Sequence, residues 1–250
     1  MWLTALPLAN LGYTLNKQEF RDAVHLRYGW RIADMPIHCS CGDRNDIDHA
    51  LACKRGGYVV FRHNKIRDLN ADLLNQVCKD VKTEPPLLPL QSESLEHTGN
   101  VADGARLDVS AVGFWGPLQR TMFDVRIFHP GAASYRDLDI KELYKRHETE
   151  KNGQYRERVT QVEKATFTPL IYSTNGGMAP ETTRFQKRLA GLIAMKTRED
   201  YSDVIQYLRT RTCFALLKSI LIAVRGVRGK GPKIAEANPN EISFNLIPVF

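Results

Sequence analysis

The chain has 250 residues, 43% hydrophobic and 25% charged, an ordinary balance for one large globular domain or a core with attachments. With 35 Lys and Arg against 28 Asp and Glu its formal net charge is +7, which favours an anionic partner and says nothing about fold. Five cysteines, three of them at 39, 41 and 53, suit a metal site in a reducing compartment and argue against an extracellular disulfide framework.

The opening MWLTALPLANLGYTL is apolar but lacks the basic start and small-x-small site of a signal peptide. The late apolar run from Cys213 to Val224 is too short for a bilayer and contains Lys218. A soluble intracellular protein with no membrane partner is therefore expected. Residues 1–34 read as an accessory helical linker, with Asn16 placed to cap a helix through KQEFRDAVHLRYGW, and no chemistry is assigned to them.

Residues 35–57 carry CSCGDRNDIDHALAC, in which Cys39, Cys41, His49 and Cys53 form a C-x-C-x7-H-x3-C series. Three thiolates and one imidazole are the donors of a closed tetrahedral zinc site. One helical turn over 48–53 would present His49 and Cys53 at i and i+4. A chance cluster of buried free cysteines is the alternative, and His38 is a substitute ligand.

A helix is expected from about Arg62 to Lys79, with Ile66, Leu69, Leu73, Leu74 and Val77 as its apolar stripe. The proline-rich TEPPLLPL at 83–90 suits an edge or extended strand, and 91–104 reads as an exposed loop. Then comes ARLDVSAVGFWGPLQRTMFDVRIFHP at 105–130. Alternation places Leu107, Val109 and Ala111 on one face of a strand and Arg106, Asp108 and Ser110 on the other. In the second run Phe123, Val125 and Ile127 share a face, opposite Asp124 and Arg126. Paired as a hairpin, the two runs bring two carboxylates and two guanidiniums together above an apolar underside, a cluster able to hold a metal and a phosphate. The same alternation also fits two solvated strand faces.

A long helix is expected over about Asp137 to Ala165, with Asn152-Gly153 as a kink or break. A buried strand follows at 167–173. Pro180 then opens a helix to about 198, and another runs over 202–225. Arg209, Arg211, Lys218, Arg225, Arg228, Lys230 and Lys233 give this end a positive margin. The order is α-β-β-β-α-β, preceded by a metal module and followed by helices, an α/β (α+β) chain. Domain by domain, 1–34 is linker, 35–57 knuckle, 58–175 core, 176–229 basic helices and 230–250 a loosely held tail.

Taken in order, the Cys39–Cys53 series, Arg62-His63-Asn64 opening a helix, Arg106-Leu107-Asp108, then Asp124, then Lys151-x3-Tyr155 resemble the restriction-enzyme-like endonuclease region of site-specific non-LTR retrotransposons, a branch of the PD-(D/E)xK nuclease superfamily. The resemblance covers most of residues 1–175. Leu107 stands where the family has Pro, and Arg126 where many members have the lysine two positions after the second acid. A guanidinium grips phosphate but is a poor proton acceptor. In this group the lysine is usually displaced to the next helix, and Lys151 is the matching position, with Tyr155 one turn on. Were the helix broken at Asn152-Gly153, Lys141 and Lys145 would be the substitutes.

The resemblance implies a restriction-endonuclease-like core that nicks DNA by Mg²⁺-dependent phosphodiester hydrolysis. Asp108 and Asp124 would hold the ion, and Lys151 would orient water or stabilise developing charge. Arg126 would grip the phosphate, Tyr155 would support Lys151, and Arg62, His63 and Arg106 would contact DNA or support the acids. The knuckle ion would be structural Zn²⁺. Partners would be DNA, the RNA of the element and an upstream reverse transcriptase in a longer polyprotein, in the nucleus. No polymerase motif with adjacent aspartates is present. A catalytically decayed nucleic-acid-binding module or an inert remnant of a mobile element is the alternative. Residue by residue, the alternatives are that Arg126 merely neutralises Asp124, that Lys151 is an ordinary surface lysine and that Tyr155 is structural.

Overall fold

The computed structural model of the chain describes residues 2–88, 106–135 and 137–226. The loop expected at 91–104, the tail at 230–250, and Arg228, Lys230 and Lys233 lie outside them. Asn16 opens helix α1 (Lys17–Tyr28) with a capping box: its side chain accepts from the Glu19 N–H, and Glu19 accepts from the Asn16 N–H. Both donors would otherwise be unpaired at the helix start. Asp46 caps the short α2 (Ile47–Ala52) in the same manner through the His49 N–H.

Helix α3 (Tyr58–Asn75) begins four residues before its expected start, because Gly56 and Gly57 both take positive φ and turn the chain into it. It also ends earlier, because the following residues form β1 (Lys79–Thr83). The proline-rich segment is therefore not the strand. Pro85 and Pro86 cannot donate to a ladder, and among the described residues pairing beyond Thr83 shrinks to one isolated bridge, Pro86 with Arg106. The exposed, charged KDVKT sequence suits β1 to an open sheet edge.

The hairpin is β2 (Val109–Val112) with β3 (Arg120–Phe128), antiparallel, pairing Val109 with Phe123 and Ser110 with Met122. Helix α4 (Ile140–Gln161), capped by Asp139, then crosses over to β4 (Thr166–Ser173), which lies parallel to β3. A parallel neighbour requires such a crossover. The sheet order is β1-β2-β3-β4. Gly153 does not break α4, which is continuous through it. Two further helices, α5 (Pro180–Thr197) and α6 (Tyr201–Arg225), complete the described chain, with Pro180 at the first turn of α5.

Both sheet faces are covered, so the alternative of solvated strand faces fails. On one face Val109, Ala111, Phe123, Val125, Leu170 and Tyr172 pack with residues of α3, α5 and α6 in a single core. Phe123 is fully buried there, and its truncation to Ala would cost about 3–5 kcal/mol. The helices after 176 thus share the core of the sheet. On the other face Met122, Phe167, Phe128 and Ile171 meet Val159 and Leu143 of α4. Leu107 belongs to this second cluster, not to the underside shared by Val109 and Ala111. Regular alternation begins only at Val109, and the chain bends at Asp108. No helix among the described residues is long and apolar enough to cross a membrane.

Candidate functional site

The β2–β3 register that pairs Val109 with Phe123 brings Asp108 alongside the middle of β3. Its N–H donates to the Phe123 carbonyl (3.1 Å), and its Oδ2 accepts from the Val125 N–H at 2.6 Å. Asp124 lies between those two β3 residues and is 5% exposed. From α4, which covers this face, Lys151 reaches Asp124 with Nζ 2.9 Å from Oδ2. Lys151 is therefore no ordinary surface lysine; its side chain is 15% exposed. The ion pair is close but poorly aligned, leaving the buried Oδ2 of Asp124 without a hydrogen bond of good geometry. A buried carboxylate oxygen so placed retains the capacity to ligate a cation.

Burial pushes the Asp124 carboxyl up to about 6, Lys151 pulls it down, and the neighbouring Asp108 charge raises it again. A buried carboxylate raised beside a second acid is a pattern shared by catalytic centres. His63, from the first turns of α3, points its Nε2 at two acceptors, the Val125 carbonyl at 3.0 Å and Asp108 Oδ2 at 3.3 Å. Since both partners only accept, Nε2 carries the proton. Burial opposes charge on His63, but Asp108 outweighs it and holds the imidazole pKa above its ordinary value.

The remaining expected residues divide. Lys151 sits 5.3 Å from the centre of the Tyr155 ring, and that ring packs on Phe167; Tyr155 thus supports the lysine with its ring face. Arg126 does not neutralise Asp124. It pairs at 2.7 Å with Glu150, the residue next to Lys151. Arg106 is exposed near Glu84 at 3.8 Å. Arg62 must be withdrawn from the nucleic-acid set: it is 2% exposed and donates to the Leu51 carbonyl of α2 at 3.0 Å. It lies on the inward face of α3, after Tyr58 and Phe61, and ties the cysteine-bearing segment to that helix.

That segment folds into a small turn and a helix. A bridge between His38 and Arg44 and a Gly42 N–H to Cys39 carbonyl bond bring Cys39 and Cys41 together. Helix α2 presents His49, and Cys53 closes it. The four donor atoms of Cys39, Cys41, His49 and Cys53 lie within 4.8 Å of one another. Cys53 Sγ is 3.9 Å from Cys39 Sγ and 4.0 Å from Cys41 Sγ. Tetrahedral coordination with metal–sulfur bonds of about 2.3 Å needs roughly 3.8 Å between sulfurs, and a disulfide needs about 2 Å. The cluster is close enough to hold a metal ion. His38 is exposed and outside it. Burial opposes ionisation of Cys39, but hydrogen bonds from the Cys41 backbone and from His49 hold its thiol near 6. The Arg55 N–H also donates to Cys53 Sγ (3.4 Å).

No family model and no curated protein matches the chain.

Sequence reasoning missed a second tie between the cluster and the sheet. His129, just past β3, lies 2.9 Å from Asp48 Oδ1 through Nε2 and 2.7 Å from Thr174 Oγ through Nδ1. Burial lowers its pKa against the pull of Asp48, so the neutral ring donates to Asp48 and accepts from the Thr174 hydroxyl. Asp48 precedes His49 of the cluster, so this chain of bonds sets where α2 lies. The missed signal was a histidine ending a buried strand, a position that rarely stays unpaired.

Proposed function

We propose that the chain is a divalent-metal-dependent DNA endonuclease with a restriction-endonuclease-like core, of the kind found in site-specific non-LTR retrotransposons. The single observation that carries this reading is the convergence of Lys151 with Asp124, beside Asp108, on the α4 face of the sheet. The succession α3, β1, β2, β3, α4, β4 supports it, because it sets Asp124 of β3 against Lys151 of the crossover helix, with Asp108 from the bend before β2 alongside. Nucleic acid as partner agrees with the net charge of +7.

Asp108 and Asp124 would hold Mg²⁺, a hard ion that takes carboxylate oxygens and keeps several waters. When bound, the ion would polarise a phosphate oxygen and lower the pKa of a water. The chain's own groups do the rest. The Val125 N–H, by a hydrogen bond, and His63, by an ion pair, hold the same oxygen of the Asp108 carboxylate. Lys151 screens the two acids from each other and sets a positive charge where negative charge would develop on the phosphoryl oxygens. Tyr155 limits where the ammonium can swing. Arg126, oriented by Glu150, stands ready for a neighbouring phosphate. In the knuckle, three sulfurs and one imidazole suit Zn²⁺ in a closed structural role.

A supercoiled-plasmid assay tests the reading. Nicking is expected with Mg²⁺ and none without it, falling about a hundredfold or more in Asp124→Ala. Unchanged nicking in that variant rejects the site. DNA retardation without any nicking would leave only the binding module.

A further inference from the structure

The N-terminal segment, to which the sequence assigns no chemistry, ends in a built aromatic surface. Helix α1 closes with Gly29 in the left-handed region (φ 66°). The Trp30 N–H bonds back to the His25 carbonyl at 2.9 Å. This two-residue reversal sets Tyr28 and Trp30 side by side, ring centres 5.0 Å apart and 24° from parallel. His25 locks the pair: its ring meets Trp30 edge-on at 5.7 Å, and its Nδ1 lies 2.7 Å from the Arg31 carbonyl. Yet Tyr28 is 58% and Trp30 54% exposed. A fixed aromatic stack left in water is not explained by packing.

The stack lines a cleft of about 1240 Å³ between α1, the metal knuckle and α6. Its charges are uneven. Arg27, Arg31, Arg44 and Arg209 line it, and among the described residues none of them forms an ion pair. Its two acids are already engaged, Asp46 by the cap of α2 and Asp48 by His129. Flat exposed rings flanked by unpaired guanidiniums are complementary to unpaired bases on a phosphate backbone. A duplex keeps its base faces stacked on one another and offers the rings nothing.

We infer that the Tyr28–Trp30 stack and the arginines around it form a binding site for single-stranded nucleic acid, separate from the Asp108–Asp124 centre. The inference does not rest on the nuclease reading. A strand entering the cleft would lay bases against the rings, with Arg31 and Arg44 on its phosphates.

The test uses the full chain, a fluorescent twelve-nucleotide oligo(dT) and the matching duplex, at low salt and without added Mg²⁺, so that it is blind to nicking. The single strand should bind more tightly than the duplex and quench tryptophan fluorescence. Tyr28→Ala/Trp30→Ala should weaken binding about ten- to a hundredfold. Trp30→Phe should keep affinity within a fewfold while removing the Trp30 share of the quench, leaving at most that of Trp2, which lines the same cleft. Replacing Arg27, Arg31 and Arg44 by Gln should reduce the slope of log K against log salt by about 2. Retained knuckle metal in each variant shows that the module is folded. Equal affinity for duplex and single strand, no quench, or an unchanged affinity in the double variant overturns the site. So does loss of self-association or of protein capture in that variant with oligo binding intact.

Discussion

The two clusters of this molecule, the cysteine knuckle and the Asp108–Asp124–Lys151 site, are assembled in opposite ways. All four knuckle donors come from one short stretch, and a turn and one helix suffice to gather them. The second site draws on α3, the β2–β3 hairpin and α4, and exists only because strand register and a helical crossover bring them together. A local cluster folds around its ion, so the ion is part of its structure. A site spread over a buried sheet is already held in place, and an ion bound there would be free to serve chemistry.

That contrast is most easily broken by taking metal away. Cys53→Ser, or exhaustive chelation, should empty the knuckle and expose residues 35–57 to limited proteolysis, while the sheet and its helices persist by circular dichroism. Loss of Mg²⁺ should leave the melting temperature within a few degrees of its starting value. If the cysteine variant melts whole and cooperatively, the knuckle is a keystone of the core and not an attachment. Arg62 and His129, which tie it to α3 and β3, would be the reason.

Next in size is Lys151. Its replacement by Met removes the charge facing Asp124 and should lower nicking about a hundredfold or more at constant DNA affinity. Lys151→Arg should restore part of this if charge alone matters. Retained activity in the Met variant would return the role to Lys141 or Lys145.

These contrasts bear on what could be read before the structure. The knuckle was legible because its spacing is local. The hairpin was legible because Phe123, Val125 and Ile127 alternate with Asp124 and Arg126. Misreadings fell where one residue's direction depends on something distant. Arg62 looks like a surface cation, yet α3 starts earlier and turns it inward beneath α2. Leu107 follows the alternation on paper, but the bend at Asp108 sends it to the other face. The alternative in which Arg126 neutralises Asp124 fails for the same reason, because its ion-pair partner, Glu150, arrives on α4. The Tyr28–Trp30 stack went unseen because its geometry comes from the Gly29 reversal rather than from helical periodicity.

Acidity sharpens the comparison at a smaller scale. The folded-state pKa of Asp124, about 6, lies above the ordinary carboxylate value. The proton thus stabilises the metal-free fold, and this contribution is present in acid and lost as pH rises through about 6. An ion at Asp124 must displace that proton. Mg²⁺ affinity, read from nicking at limiting Mg²⁺, should fall about tenfold per pH unit below 6 and level off above it. A profile flat between pH 5 and 7 would mean that Asp124 holds no ion.

The smallest effect isolates Glu150, which lies between Arg126 at 2.7 Å and His147 at 3.6 Å. The two contacts are not equivalent. His147 is buried against Phe128 and Tyr135, and burial together with the Arg126 charge pushes its pKa down to about 4. At neutral pH it is uncharged, so Glu150 has one cationic partner, Arg126. Glu150→Gln removes a negative charge beside the proposed DNA site and releases the guanidinium. An exposed ion pair of this sort is worth up to about 1 kcal/mol. DNA affinity should therefore tighten by no more than about fivefold. Turnover should fall at the same time, because Arg126 would no longer be oriented on the phosphate. A variant with tighter binding and unchanged turnover would show that the pair only tunes surface charge, and Arg126 would then leave the site.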